Sequence, residues 1–199
     1  VDISPNSPYT NTGLSCTHSY SDADGDPDNS SYAWTVSNTQ SGSGSSVGSN
    51  SSSLASSNYT RDQWVTCTVT ANDGITNGTS DSDQVQILNS APSVSGANIT
   101  PSNPVNSTNS LTCNYSYSDI DSDGNSSVVT WYKNGSNVGN GNTYSGPYVG
   151  GDTLYCTVKA NDGTVDGNTI TANTVTVGNT APTVSGVDIS PNSPYTNTG

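Results

Sequence analysis

Trp64-Val65-Thr66-Cys67-Thr68-Val69-Thr70 and Thr153-Leu154-Tyr155-Cys156-Thr157-Val158-Lys159 are the most strand-like stretches of this chain, and they read alike. Both are rich in β-branched and aromatic residues, and apolar side chains recur at every second position around a central cysteine. That alternation is the period of a strand with one face buried. No comparable stretch shows a helical period.

Working outward, each run is the third of four in a matching series of short strands. The first series is expected around Gly13–Ser21, Ser31–Ser37, Trp64–Asn72 and Asp83–Leu88. The second is expected around Ser110–Ser118, Val128–Lys133, Thr153–Asn161 and Thr169–Val177. Turn residues punctuate both. Lys133-Asn134-Gly135-Ser136 signals a two-residue hairpin, because Asn-Gly accepts the positive φ of a type I′ turn, and Asn72-Asp73-Gly74 and Asn161-Asp162-Gly163 end equivalent strands. Many short strands with turns between them predict an all-β chain of antiparallel sandwiches. Within the first series, Thr39–Ser57 is almost entirely Ser, Gly and Asn and reads as a flexible or sugar-bearing loop on a sandwich edge.

Repetition extends beyond the strands. Residues 187–199 copy residues 1–13 letter for letter, so the sequence has a period of 186 residues with a half-repeat inside it. Val1-Asp2-Ile3-Ser4-Pro5 is echoed by Ala97-Asn98-Ile99-Thr100-Pro101, and Asn89-Ser90-Ala91-Pro92 by Asn179-Thr180-Ala181-Pro182. The expected organisation is a linear array: one domain over residues 1–90, a second over 91–180, and the first strand of the next repeat over 181–199. A proline in each short joint should restrain the swing between neighbours.

Composition narrows the function classes. Phe and Met are absent, hydrophobic residues make up 29%, and the 16 acidic residues are all Asp. Only Arg61, Lys133 and Lys159 oppose them, for a net charge of -13. Such a surface repels nucleic acid and anionic membranes and can hold divalent cations. No apolar run is long enough to span a bilayer.

The cysteines fall two to a domain, Cys16 with Cys67 and Cys113 with Cys156, and a tryptophan (Trp34, Trp131) stands between each pair, shortly after its first member. Cysteine, then tryptophan on the next strand, then Cys-Thr-Val resembles the immunoglobulin-like sandwich. The resemblance implies a disulfide joining the two sheets of each domain, with the tryptophan packed on it. It departs at Val65 and Leu154, which stand where a tyrosine corner would be. Ser-Tyr-Ser-Asp-Ala-Asp-Gly-Asp, Ala-Asn-Asp-Gly and Asn-Thr-Ala-Pro-Thr-Val are similar to the tandem immunoglobulin-like, PKD-like and cadherin-like repeats of large bacterial surface and fibre proteins. That likeness implies an extracellular or cell-surface stalk, fibril or adhesin, without catalysis. Disulfides would place the chain outside the cytosol, and a zinc site is excluded by unclustered cysteines and a single histidine.

Three kinds of site remain. Asp119-Ile120-Asp121-Ser122-Asp123-Gly124 fits the opening half of an EF-hand loop, and Asp22-Ala23-Asp24-Gly25-Asp26 is its variant in the first domain. Asp73 and Asp162, on the loops after the second cysteine strands, belong to the same domain ends. Asp22, Asp24, Asp26 and Asp73, and Asp119, Asp121, Asp123 and Asp162, are therefore candidate calcium ligands that would stiffen the joint to the preceding domain. Sequons at Asn29, Asn50, Asn58, Asn77, Asn98, Asn106, Asn125 and Asn134 are candidate carriers of covalent glycan. Their number is what so much Asn, Ser and Thr produces by chance, and Asn114 is a weaker candidate inside a strand. Catalysis has little support. Gly44-Ser-Ser-Val-Gly48 matches a nucleophile pattern without its strand-to-helix setting, and His18 aligns with Tyr115 at a packing position.

The expected function is a structural repeat unit of an extracellular, glycosylated filament or stalk, partnered by further copies of itself. The alternative is an adhesin segment in which Tyr9, Tyr144 and Tyr148 are exposed to recognise a glycan or protein.

Overall fold

A computed structural model describes residues 1–104 and 110–190 of the chain. Among these residues all strand pairing between named elements is antiparallel, and the one helical element is a 3-10 turn at Ser56–Asn58. No helix among the described residues is long and apolar enough to cross a membrane.

The first half contains β1 (Asp2–Ser4), β2 (Leu14–Thr17), β3 (Ser31–Ser37), β4 (Ser45–Val47), β5 (Ser53–Leu54), β6 (Trp64–Asn72) and β7 (Asn77–Gln86). One sheet has the order β1-β2-β5 and the other β4-β3-β6-β7. Alternation along β6 turns Val65, Cys67 and Val69 inward, where they meet Ile3, Leu14, Cys16 and Leu54 from the opposite sheet. Cys16 on β2 is bonded to Cys67 on β6, so the disulfide ties the two sheets together. Trp34 is paired with Cys67 across β3 and β6, is 1% exposed, and donates its indole N–H to the Ser51 carbonyl at 2.8 Å.

The second half repeats the plan with β8 (Ser93–Thr100), β9 (Leu111–Ser118), β10 (Val128–Lys133), β11 (Ser136–Asn140), β12 (Thr143–Tyr144), β13 (Thr153–Asn161), β14 (Asp166–Thr171) and β15 (Val175–Thr176). Its sheets are β12-β9-β8 and β11-β10-β13-β14, with β15 also on β13. Leu154, Cys156, Val158 and Ala160 point inward along β13, and Cys113 on β9 is bonded to Cys156. Trp131 sits opposite Cys156 and donates to the Gly141 carbonyl at 2.9 Å. Asn134 (φ 51°) and Gly135 (φ 81°) make the tight hairpin between β10 and β11, as their sequence predicts.

The differences from expectation have physical causes. The Thr39–Ser57 tract is no free loop: β4 pairs with β3, β5 pairs with β2, and Leu54 is buried at 3% exposure. Tyr148 is not a surface residue but 1% exposed, and Tyr144, half-buried, stacks on Trp131 with centroids 5.8 Å apart. In a chain without Phe or Met, tyrosines must supply core volume. Of the three tyrosines, Tyr9 alone is open, at 49%. Residues 181–190 form no strand. They include Asp188-Ile189-Ser190, the copy of β1, which itself is held by β2. Residues 191–199 lie outside the described residues.

Candidate functional site: the acidic joint between the two halves

Short-range hydrogen bonding shapes the aspartate loops first. In the loop after β9, the Asp119 carboxylate accepts the Asp123 amide at 3.1 Å, and in the loop after β2 Asp22 accepts the amides of Asp24 and Asp26. These are turns closed by aspartate on its own backbone. After β13, Asp162 accepts the amides of Thr164 and Val165, each at 2.6 Å; Asp73 does the same for Ile75 and Thr76.

Packing then brings the loops of the second half against the first half. The Asp121 carboxylate accepts the Thr10 hydroxyl and, at 2.7 Å, the Ser90 amide. The Arg61 guanidinium donates to Asp123 and, at 2.9 Å, to the Asn89 side chain. The Asn89 amide in turn donates to Asp162 at 2.7 Å and to the Thr164 hydroxyl at 3.0 Å. Thr10, Arg61 and the connecting Asn89-Ser90 thus form one bonded network with Asp121, Asp123 and Asp162.

Carboxylate oxygens of Asp119, Asp123 and Asp162 lie within 4.8 Å of one another. Asp119 Oδ2 is buried and has no hydrogen-bond partner. Four aspartates meet one arginine here, so the joint carries an excess of negative charge in a partly enclosed place. Three carboxylates with one oxygen unsatisfied are a donor set that suits a hard divalent cation. Asp121 faces Thr10 and Ser90 instead. Asp22, Asp24, Asp26 and Asp73 do not converge to the same spacing in the first half.

The charges feel this setting. The amide of Val165 leads the groups that hold the Asp162 carboxyl well below the ordinary carboxylate range; burial opposes, and Asn89 and Thr164 assist. Asp73 is lowered chiefly by the Thr76 and Ile75 amides. Burial, then Asp119, Asp162 and Asp123, raises the Tyr117 hydroxyl. A carboxylate with a lower pKa folded than unfolded stabilises the fold fully above the ordinary carboxyl value, and the contribution vanishes as pH falls below it. The melting temperature should therefore drop as pH is taken below about 4, and less steeply in Asp162→Asn. Equal slopes for the two proteins in a pH series of thermal melts would show that this carboxylate is not responsible.

The other sequence candidates are scattered. Asn29, Asn50, Asn77, Asn98, Asn125 and Asn134 are exposed, Asn58 is half-buried, and Asn106 lies outside the described residues. Asn50 and Asn77 use their side-chain oxygens, as acceptors from Tyr32 and Asn72, whereas the Asn134 amide nitrogen is committed to Asp152 at 2.7 Å. Asn114 is exposed within β9 and bonds Asn98 and Thr100. His18 contacts the Tyr32 hydroxyl at 3.1 Å and Asp28 at 3.0 Å, and Ser45–Val47 of the Gly44–Gly48 motif is an edge strand.

Sequence reasoning missed Arg61, Thr10 and Asn89. The signal was faint: Arg61 is the chain's one arginine, and Thr10 and Asn89 fall in segments that the sequence repeats. No protein-family model matches the chain, and a search of curated proteins finds no match.

Proposed function

We propose that this chain is a structural repeat of an extracellular filament or stalk, built of tandem immunoglobulin-like sandwiches and without catalytic activity. The observation that carries the reading is the bonded joint: Thr10, Arg61 and Asn89 fix the second half on the first through Asp121, Asp123 and Asp162. A chain of independently working modules has no need of such a joint, whereas a fibre needs its successive units at a set angle. The letter-for-letter return of residues 1–13 at 187–199 supplies the means of repeating it. Disulfides in both halves favour an oxidising location outside the cytosol. Exposed sequons, Asn50 and Asn77 before the rest, are where glycan would be carried with least loss of bonding.

At the joint, Asp119, Asp123 and Asp162 would hold a calcium ion. The ion would offset the carboxylate excess that Arg61 leaves and restrain the two halves further.

Electron microscopy of two copies joined through their shared thirteen residues tests the reading. Straight rods advancing by about 70–90 Å per 186-residue repeat are expected, since strands rise about 3.3 Å per residue. Units dispersed at random angles, as beads on a string, would overturn it. Rods that stay equally straight in chelator would remove calcium from the account and leave the fibre.

A further inference from the structure

The two halves differ at one place where the sequence says they should agree. In the second half, β8 pairs with β9 along its whole length: Asn98↔Asn114, Ile99↔Cys113 and Thr100↔Thr112, then, beyond a bulge, Ser95↔Ser116, Val94↔Tyr117 and Ser93↔Ser118. In the first half β1 reproduces only the former set, as Asp2↔Thr17, Ile3↔Cys16 and Ser4↔Ser15. The strand it pairs with stops at Thr17, and His18–Ser21 are unpaired where β9 continues to Ser118.

What the missing half-strand would cover is open. Val94 is buried at 3% exposure, and β8 lies along β13 and β14, closing over Ala160 (0% exposed). Ala71, the counterpart of Ala160, is half-buried and lines a groove with Val1, His18, Val69, Thr79 and Asp81. The groove continues past Tyr20 and Gly78, and the buried Tyr20 hydroxyl there has no hydrogen-bond partner. Gly167 explains Gly78. A Cβ on Gly167 would lie 1.8 Å from the Pro92 carbonyl oxygen, so that position must be glycine for β8 to enter. A Cβ on Gly78, at the equivalent position, would meet nothing closer than the Ala71 side chain at 3.3 Å.

Ala91-Pro92-Ser93-Val94-Ser95-Gly96 fills this place in the second half, and Ala181-Pro182-Thr183-Val184-Ser185-Gly186 repeats it with one change, Ser to Thr. Val184 is 84% exposed. Gly96 and Gly186 share a positive φ, 66° and 69°, at the bulge that re-aims the strand.

We propose that the groove of the first half receives residues 181–186 of a second copy of this chain, the copy that precedes it and whose residues 187–199 coincide with residues 1–13. Thr183, Val184 and Ser185 pair with Ser21, Tyr20 and Ser19, and Val184 occupies the groove as Val94 does. This addition of a strand to an open sheet edge brings backbone hydrogen bonds and one apolar anchor. One bond pair is not repeated: Asn168 clamps both backbone polar groups of Val94, at 2.8 and 2.9 Å, and Thr79 stands in its place. The proposal takes only the source of the segment from the fibre reading; groove, register and anchor stand apart from it.

The test adds the sequence of residues 179–186 ahead of Val1 in the full chain and follows amide hydrogen exchange by NMR. The amides of Ser19–Ser21 should exchange roughly tenfold slower or more once paired. Val184→Asp in the added copy, or Gly78→Ala, should abolish that protection, while Gly78→Ala in the original chain leaves the melting temperature in place. Unchanged exchange at residues 18–21, or protection that survives both substitutions, overturns the proposal. The filament images judge the fibre reading separately, since rods can form without this strand and the strand can seat without rods.

Discussion

Removing the Cys113–Cys156 bond, by Cys113→Ala with Cys156→Ala, should lower the stability of the second half by about 4 kcal/mol. The bond closes a loop spanning 43 residues, and Cys16–Cys67 one spanning 51, so the first half should lose a similar amount. The effect acts on the unfolded chain, whose freedom the cross-link restricts. For units of this size, with total stabilities of about 5–15 kcal/mol, either loss is a large fraction. Denaturant melts with and without reductant measure it. A shift under about 1 kcal/mol would mean that strain or residual structure cancels the loop term. Peptide mapping without reduction should recover the two pairs within their own halves.

Trp131→Ala should come next, at about 3–5 kcal/mol, with Trp34→Ala alongside it. Both indoles are enclosed, at 0% and 1% exposure, and both touch the disulfide layer through their strand partners Cys156 and Cys67. Each substitution leaves a cavity and removes the donor that satisfies a carbonyl, Gly141 or Ser51. Trp64→Ala is the internal comparison, since Trp64 lies half-exposed on the outward face of β6. It should cost about 1 kcal/mol or less. If all three variants melt alike in guanidinium, the two enclosed tryptophans are not the centres of their cores.

The central strands were legible because their pattern is strong. Ser31–Ser37, Trp64–Asn72, Val128–Lys133 and Thr153–Asn161 agree with the sequence reading residue for residue. Each is long and alternates between a buried and an open face. The missed elements include short edge pieces such as Ser45–Val47, Ser53–Leu54 and Thr143–Tyr144, whose two or three residues are too few to show a period, and the eight-residue β8, whose bulge between Ser95 and Asn98 breaks the alternation. They exist because β2, β3 and β9 offer backbone partners. Tyr148 was misread for a related reason: a polar neighbourhood in sequence, here Ser145-Gly146-Pro147, says nothing of the core that a loop folds back onto. The aspartate loops could be read as a candidate site from their spacing. Their partners could not, because Thr10 and Arg61 reach Asp121 and Asp123 across 111 and 62 residues of sequence.

The three cations of this chain are also its three points of attack by any protease that cuts after lysine or arginine. Such an enzyme needs several residues of chain peeled into its cleft. Lys133 and Lys159 lie within β10 and β13, paired across to Leu154 and Val128. Arg61 is held by Asp62, Asp123 and Asn89, and the next residue's amide is bonded to the Ile87 carbonyl. Cleavage at any of the three therefore waits on local unfolding. With no methionine and no free cysteine among the described residues, the common oxidative lesions of sulfur find no target either. The folded chain should therefore resist proteases of that specificity and oxidants of sulfur.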